Sequence, residues 1–153
     1  MEKLPGAHGA RLRVAGMSEP TMPADVEIFF SHYRDVFNRL DGRAVSAHYD
    51  HPAMIIDDNG NRVFADPDSL DANNIALCTH YAKNGFVRAD FVARAYLPQG
   101  ERFCVVDLAW TIERREQAAQ KFNTSYALAK RAGHWKVAMV TAYEERRPGD
   151  QHE

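Results

Sequence analysis

The sequence predicts an α+β domain whose helices lie mainly in its first half and whose antiparallel sheet lies mainly in its second half. Apolar residues recur every three to four positions over residues 24–40, as in an amphipathic helix. Four later segments instead alternate apolar and polar side chains, as half-buried strands do. These four segments are 86–97, 102–115, 121–131 and 134–144.

With 153 residues, the chain is long enough for one domain with a substantial core. We expect this domain to span residues 23–146. Residues 1–22 contain glycine, proline and basic side chains without usable periodicity, and they are expected to form a flexible N-terminal extension. Residues 147–153 are expected to form a short C-terminal tail.

The first helix is expected to begin near Ala24, directly after Pro23, and to end near Leu40. A short second helix over residues 43–49 should end before His51-Pro52, because the residue before a proline avoids the helical region. The apolar stripe of the first helix consists of Val26, Phe29, Phe30, Tyr33, Val36, Phe37 and Leu40.

A hairpin and a third helix are expected next. The turn signal Asp-Asn-Gly-Asn separates a strand at 53–57 from a short strand at 62–65. Asp66 is then expected to be the N-cap of the third helix, with Pro67 at its first position. Gly85 is expected to end this helix as a left-handed cap.

The register of the long hairpins predicts which side chains face inward. Pairing Leu97 with Arg102 places the apolar faces of the first two long strands together. A turn near Ala132-Gly133 does the same for the last two strands. The resulting surface is apolar but has hydroxyl groups, so it either lines a ligand cavity or forms a core whose hydroxyls bond to the backbone. Its members are Phe122, Thr124, Tyr126, Leu128, Trp135, Val137, Met139, Thr141 and Tyr143.

Composition and charge limit the classes of partner. A net charge of −2 with interspersed charges argues against nucleic acid or an anionic membrane as the main partner. The apolar runs are too short to span a bilayer, the first residues lack a signal-peptide pattern, and we expect a cytoplasmic protein. Cys78 and Cys104 lack metal or redox spacing. His48 and His51 resemble a metal pair only superficially, because Pro52 interrupts the helix, so no metal and no cofactor are expected.

The elements follow the order helix, helix, short hairpin, helix and four long strands, and the last hairpin contains Gly133-His134-Trp135-Lys136-Val137. In this order and this turn the chain resembles the nuclear transport factor 2-like superfamily, near its SnoaL-like and ketosteroid isomerase-like members. The resemblance implies a cone-shaped fold, in which a curved sheet wraps around three N-terminal helices and leaves a pocket. It also implies a homodimer that forms through the outer face of the sheet. The superfamily includes isomerases, cyclases, dehydratases, epoxide hydrolases and non-catalytic modules, so the fold alone does not select a function.

The resemblance also implies a catalytic pair, Tyr33 and Asp57. In steroid isomerases of the superfamily, a tyrosine on the first helix donates to the developing enolate and an aspartate at the end of the first strand shuttles the proton. Those enzymes use a second, protonated aspartate on a later strand, where this chain has Thr124 or Ser125. In the alternative interpretation, Tyr33 belongs to the core and Asp57 only begins a turn.

The expected ligand is a small apolar molecule with a carbonyl or hydroxyl group. The protein is then either a cofactor-independent isomerase, cyclase or dehydratase, or a non-catalytic ligand-binding or assembly module. The side chains expected to shape the pocket around Tyr33 and Asp57 are Phe37, Tyr49, Trp110, Thr124, Tyr126, Met139, Thr141 and Tyr143.

A second set of charged residues lies on the first two long strands. Asp90, Arg94 and Asp107 share one face in the predicted register and are similar to the Asp-Arg-Asp cluster of the superfamily's epoxide hydrolases. That chemistry needs two carboxylates inside the cone. The alternative is a charge ladder on the outer face of the sheet.

Overall fold

The computed structural model describes residues 21–144, and the predicted α+β architecture is confirmed there. Residues 1–20 of the expected N-terminal extension, and the whole of the expected tail, lie outside the described residues. None of the described helices is long and apolar enough to cross a lipid bilayer. The helices are α1 (Ala24–Asn38), α2 (Gly42–Ser46) and α3 (Pro67–Lys83). The strands are β1 (Tyr49–Asp57), β2 (Gly60–Phe64), β3 (Phe86–Gln99), β4 (Phe103–Arg114), β5 (Gln120–Arg131) and β6 (His134–Tyr143).

The six strands form one sheet in the order β2-β1-β6-β5-β4-β3. All neighbours are antiparallel except β1 and β6, which pair in parallel, whereas the sequence predicted an antiparallel sheet throughout. This pairing extends β1 back to Tyr49, which lies opposite Val137. The second helix therefore ends at Ser46 rather than at residue 49, because long-range strand pairing overrides the local helical pattern.

The concave face of the sheet and the apolar stripe of α1 form the core. Phe30 of α1 is fully buried, and its ring lies 4.9 Å from that of Tyr126 on β5. The inward residues of β4, including Val106, Leu108 and Ile112, have no exposed surface. Burying one such aliphatic side chain contributes about 1.5–3 kcal/mol, so this layer dominates the stability of the domain.

The register of β3 and β4 differs from the prediction. Leu97 lies opposite Val105 instead of Arg102, and Gln99 pairs with Phe103 around a shorter turn. The pairing also shifts by one residue at Arg94, where β3 contains a β-bulge. From Ala89 to Ala93 the predicted apolar face is kept. Beyond Arg94 the strand changes face, because side chains alternate with a period of two.

A second bulge lies between β5 and β6. Leu128 pairs with Val137 but Ala127 pairs with Met139, so Ala138 is an extra residue. The inward face of β6 thus continues through Val140 and not through Met139. The prediction that Met139, Thr141 and Tyr143 face the pocket is wrong, since a one-residue insertion turns every later side chain to the other face. Tyr143 contacts Asp107 on the outer face.

Local contacts position α3 beside the sheet. The Asp66 side chain accepts a hydrogen bond from Ser69 N at 2.9 Å, which confirms the predicted N-cap. At the other end Gly85 has φ +81°, as its predicted left-handed role requires. Gly42 of α2 packs directly on α3, because a Cβ there would lie 2.6 Å from Ile75 N. This close approach holds Val45 and Asn74 in the wall of the cavity described next.

Candidate functional site

A cavity of about 410 Å³ lies between the concave sheet face and the three helices. Its walls are mainly apolar, with Phe37, Ile55, Leu77, Phe122 and Val140 among them. Polar side chains gather in two places. We call Tyr33, Tyr49, Trp110, Thr124 and Tyr126, which are all buried, the hydroxyl cluster. We call Asp57, Arg62 and Asn73, which are partly exposed, the rim.

The hydroxyl cluster is joined by hydrogen bonds between side chains of α1, β1, β4 and β5. The hydroxyl oxygens of Tyr33 and Tyr49 lie 2.9 Å apart. The indole Nε1 of Trp110 donates to Thr124 Oγ1 at 2.9 Å and to Tyr126 OH at 3.2 Å. Because an indole N–H can only donate, the hydroxyl hydrogens of Thr124 and Tyr126 must point away from Trp110.

Burial keeps the three phenols of the cluster protonated. It raises the pKa of Tyr33 well above its usual range, and the neighbouring Tyr49 and Tyr126 would repel a phenolate and raise it further. Burial is also the main reason that the pKa values of Tyr49 and Tyr126 are raised. At physiological pH the buried end of the cavity therefore presents neutral hydroxyl donors.

The rim is an ion-paired network at the β1–β2 hairpin. Asp57 Oδ1 accepts from Asn59 N at 2.9 Å, and Oδ2 accepts from Arg62 Nη2 at 3.2 Å. Arg62 Nη1 donates in turn to Asn73 Oδ1 on α3 at 3.2 Å. Asp57 thus begins the turn, as the structural interpretation proposed, and also lines the cavity together with Tyr33, as the catalytic interpretation requires.

The structure brings most of the predicted pocket residues together. Tyr33 and Asp57 share the cavity with Phe37, Tyr49, Trp110, Thr124 and Tyr126. The outer face of β6 carries Met139, Thr141 and Tyr143. Val140 and Ala142 lie on the inner face and line the cavity in their place. The Ala138 bulge is the reason for this exchange.

Asp90, Arg94 and Asp107 do not form a cluster inside the cone. Asp90 Oδ1 pairs with Arg34 Nη1 at 3.1 Å. Arg94 Nη1 lies 3.9 Å from Asp107 Oδ2, on the outer face of the sheet. None of the three lines the cavity, so the placement required by an epoxide-hydrolase mechanism is absent and the outer-face charge ladder describes them better.

The sequence interpretation missed Arg62, Asn73 and Asn74. The position of Arg62 could have been predicted from the hairpin. The two-residue turn between Asp57 and Gly60 places Arg62 across the hairpin from Ile55, which lines the cavity. Asn74 is buried and donates to Ser46 Oγ at 2.9 Å, but α3 has little amphipathic character to reveal its inner face. Within residues 21–144, no group of three or more His, Cys, Asp or Glu side chains is arranged to hold a metal ion.

Residues 24–145 match a family model described as NTF2-like protein (DUF6841). No curated protein matches the chain. Among solved structures, an NTF2-like protein of unknown function from Shewanella oneidensis MR-1 is 16% identical with a TM-score of 0.64, covering 77% of this chain and 95% of that one. A ketosteroid isomerase-like protein from Erwinia carotovora atroseptica SCRI1043 is 18% identical with a TM-score of 0.59, covering 81% and 96%.

A third solved structure, a putative calcium/calmodulin-dependent protein kinase type II association domain from Thiobacillus denitrificans ATCC 25259, is 12% identical with a TM-score of 0.66 and covers 84% of this chain and 100% of that one. At these identities the likeness shows the fold alone. It confirms the predicted cone-shaped architecture, in which a curved sheet wraps around three helices.

The buried phenols predict that the fold loses stability steeply above pH 10. An unfolded chain ionises its tyrosines near pH 10, whereas Tyr33, Tyr49 and Tyr126 stay neutral when folded. Stability is therefore complete below pH 10 and falls above it, by up to about 1.4 kcal/mol per pH unit for each of these phenols. Urea unfolding followed by circular dichroism between pH 9 and 11 measures this slope. Tyr33→Phe should reduce the slope of the unfolding free energy against pH by the contribution of one phenol. An unchanged slope would contradict the raised pKa of Tyr33.

Proposed function

Because the chain belongs to the NTF2-like family DUF6841, we propose that its cone pocket binds a small, largely apolar molecule with a carbonyl or hydroxyl group. The observation that supports this most directly is the cavity of about 410 Å³, whose apolar walls lead to one buried hydroxyl cluster. Ligand pockets commonly combine such apolar walls with a few converging polar groups that fix the orientation of the ligand.

The hydroxyl cluster supports an acceptor group on the ligand. Tyr33 bonds to both Tyr49 and Tyr126, and Thr124 also bonds to Tyr126, so the four hydroxyl hydrogens exceed the bonds among the hydroxyls by one. Trp110 adds a hydrogen to the cluster but cannot accept one. A carbonyl oxygen at the buried end would receive the hydrogen left over, while the apolar walls would enclose the rest of the molecule.

Proton-transfer catalysis is a second candidate, favoured because Asp57 lines the same cavity as Tyr33. Asp57 would remove a proton from the carbon beside the ligand's carbonyl, Tyr33 would stabilise the enolate oxygen, and the proton would return to carbon. This is cofactor-independent isomerase, cyclase or dehydratase chemistry. The contacts of Asp57 oppose it, since Asn59 N and Arg62 Nη2 already occupy both of its carboxylate oxygens, and so the binding module ranks first.

The outer face of the sheet supports the proposal of a homodimer. Several large apolar side chains are exposed there, namely Val92, Leu97, Phe103 and Met139. They surround the Arg94–Asp107 pair, where Asp107 Oδ1 is buried without a hydrogen-bond partner among the described residues. A second copy would cover the apolar patch, which is costly to expose. One structural neighbour is itself described as an association domain.

2-Indanone, a compact apolar ketone, is expected to bind in the cavity and to shift the indole N–H signal of Trp110 in a 1H–15N NMR spectrum. Tyr33→Phe and Tyr49→Phe each keep the ring but remove the hydroxyl, so each should weaken binding by roughly two- to tenfold, the effect of one hydrogen bond. Indane, which has the same shape without the carbonyl, serves as control and should bind all three proteins equally. Equal affinity of the three proteins for the ketone would overturn the proposal.

If Asp57 transfers protons, the protein should accelerate exchange of the hydrogens beside the carbonyl of 2-indanone in D₂O, which 1H NMR follows directly. Asp57→Asn should abolish the acceleration but keep the ketone-induced shift of Trp110, because an amide oxygen can still accept from Asn59 N. Asp58→Asn, in the same turn, is the matched control and should exchange like the parent. Exchange at the buffer rate despite binding would leave the non-catalytic module as the function.

The homodimer proposal predicts twice the mass of one chain in size-exclusion chromatography with light scattering. Met139→Asp places a charge in the apolar patch and should produce a folded monomer. Ile28→Asp, a similar change on the exposed surface of α1, should leave the dimer intact. A monomeric parent protein, or a dimer that Met139→Asp does not affect, would refute self-association through this face.

A further inference from the structure

A second groove, of about 390 Å³, lies between the start of α1 and the β5–β6 turn. It is separate from the cone cavity, and none of the residues around it lines that cavity. Its surface combines aromatic rings with basic groups. We call it the histidine groove and define it by Phe29, His32, His48, His134, Trp135 and Lys136.

The basic groups of the histidine groove come from three separate parts of the chain. His32 lies on α1, His48 lies between α2 and β1, and His134 and Lys136 lie at the start of β6. Lys136 Nζ donates to Ala47 O at 2.7 Å, which holds the ammonium group beside His48 and leaves two of its hydrogens for other acceptors. The fold therefore concentrates cationic and titratable groups at one place.

Among residues 21–144, Asp25 is the one carboxylate that lines the groove, and it already has partners. Its Oδ2 accepts from Trp135 Nε1 at 3.0 Å and from Lys130 Nζ at 3.3 Å. Lys130 also lies over the Trp135 ring, 4.7 Å from its centroid. Asp25 is thus paired with Lys130, and its charge does not balance that of Lys136 and the imidazoles on the other side of the groove.

His48 is the most enclosed of the three imidazoles. Its ring packs against Phe29, with centroids 5.3 Å apart, and its Nδ1 donates to Ala44 O at 2.9 Å. This bond leaves Nε2 as the nitrogen that can reach a ligand. Burial lowers the pKa of His48, the bond to Ala44 O opposes this in part, and the positive charge of Lys136 lowers the pKa further.

We infer that the histidine groove binds a small organic carboxylate with a ring or chain of apolar character. The carboxylate would lie among Lys136 and the imidazoles, where charge-assisted hydrogen bonds are the strongest contacts available. The apolar part would lie against Phe29 and the exposed Ile28. This inference is independent of the function proposed for the cone cavity.

Benzoate is a suitable probe, and the two tryptophans of the chain report separately on the two sites. Trp135 lines the histidine groove and Trp110 lines the cone cavity, so their indole N–H signals identify where the probe binds. Benzoate should shift the Trp135 signal in a saturable manner. Binding should be tighter at pH 6 than at pH 8, because the bound carboxylate stays ionised over this range and stabilises a protonated imidazole beside it, against the lowered pKa of His48.

Controls separate charge recognition from simple packing. Benzyl alcohol has the same ring without the charge and should shift Trp135 little at either pH. Lys136→Met and His134→Gln should each weaken benzoate binding about tenfold, the effect of one charge-assisted hydrogen bond, while Lys121→Met, at the end of β5 far from the groove, should not. His134 is exposed at the start of β6, so its variant tests the site even if the Lys136 variant does not fold.

Three results would overturn the inference. Benzoate could shift Trp110 alone, which would assign it to the cone cavity. It could bind equally at pH 6 and pH 8, or equally to the parent and to both charge variants. In either of those two cases the imidazoles and Lys136 would not recognise the anion.

Discussion

The packing of α1 against the concave face of the sheet is the interaction on which the rest of the structure depends. Phe30 fills the space between Phe91 and Tyr126, at ring distances of 6.3 and 4.9 Å. At the end of the helix, the Asn38 amide exchanges two hydrogen bonds with the backbone of Ala89, at 3.0 and 2.7 Å. Together these contacts set the height and rotation of α1, and hence the position of the Tyr33 hydroxyl in the cavity.

The cavity exists because this packing leaves a polar group of side chains to satisfy one another. Burying a hydroxyl without a partner costs about 1–3 kcal/mol, yet the hydroxyl cluster lies deep in the fold. Mutual bonds among Tyr33, Tyr49, Tyr126 and their neighbours remove most of that cost. One hydroxyl hydrogen of the cluster is still left without a bond inside it, which is the physical reason to expect a ligand with an acceptor group.

Much of the fold could be predicted from periodicity and from local signals. The stripe of α1, the Asp66 cap and the bounds of the four long strands follow from short-range sequence pattern, and the structure shows each of them. Tyr33, Trp110, Thr124 and Tyr126 reach the cavity because alternation holds along uninterrupted strands and helices. The prediction failed at Met139, where a bulge interrupts alternation, and at the partner of Leu97, where a shorter turn and a bulge both change the register.

The sequence by itself determined the order of the elements and the inward face of α1 and β4, because these depend on local spacing, and its family resemblance implied the candidate pair Tyr33 and Asp57. Only the tertiary structure decided that β1 pairs in parallel with β6, that Arg62 bonds to Asp57, and that Asp107 lies outside the cone. Those outcomes depend on strand pairing between residues far apart in the chain. A one-residue bulge there changes the face of every following side chain, and periodicity within one strand does not reveal it.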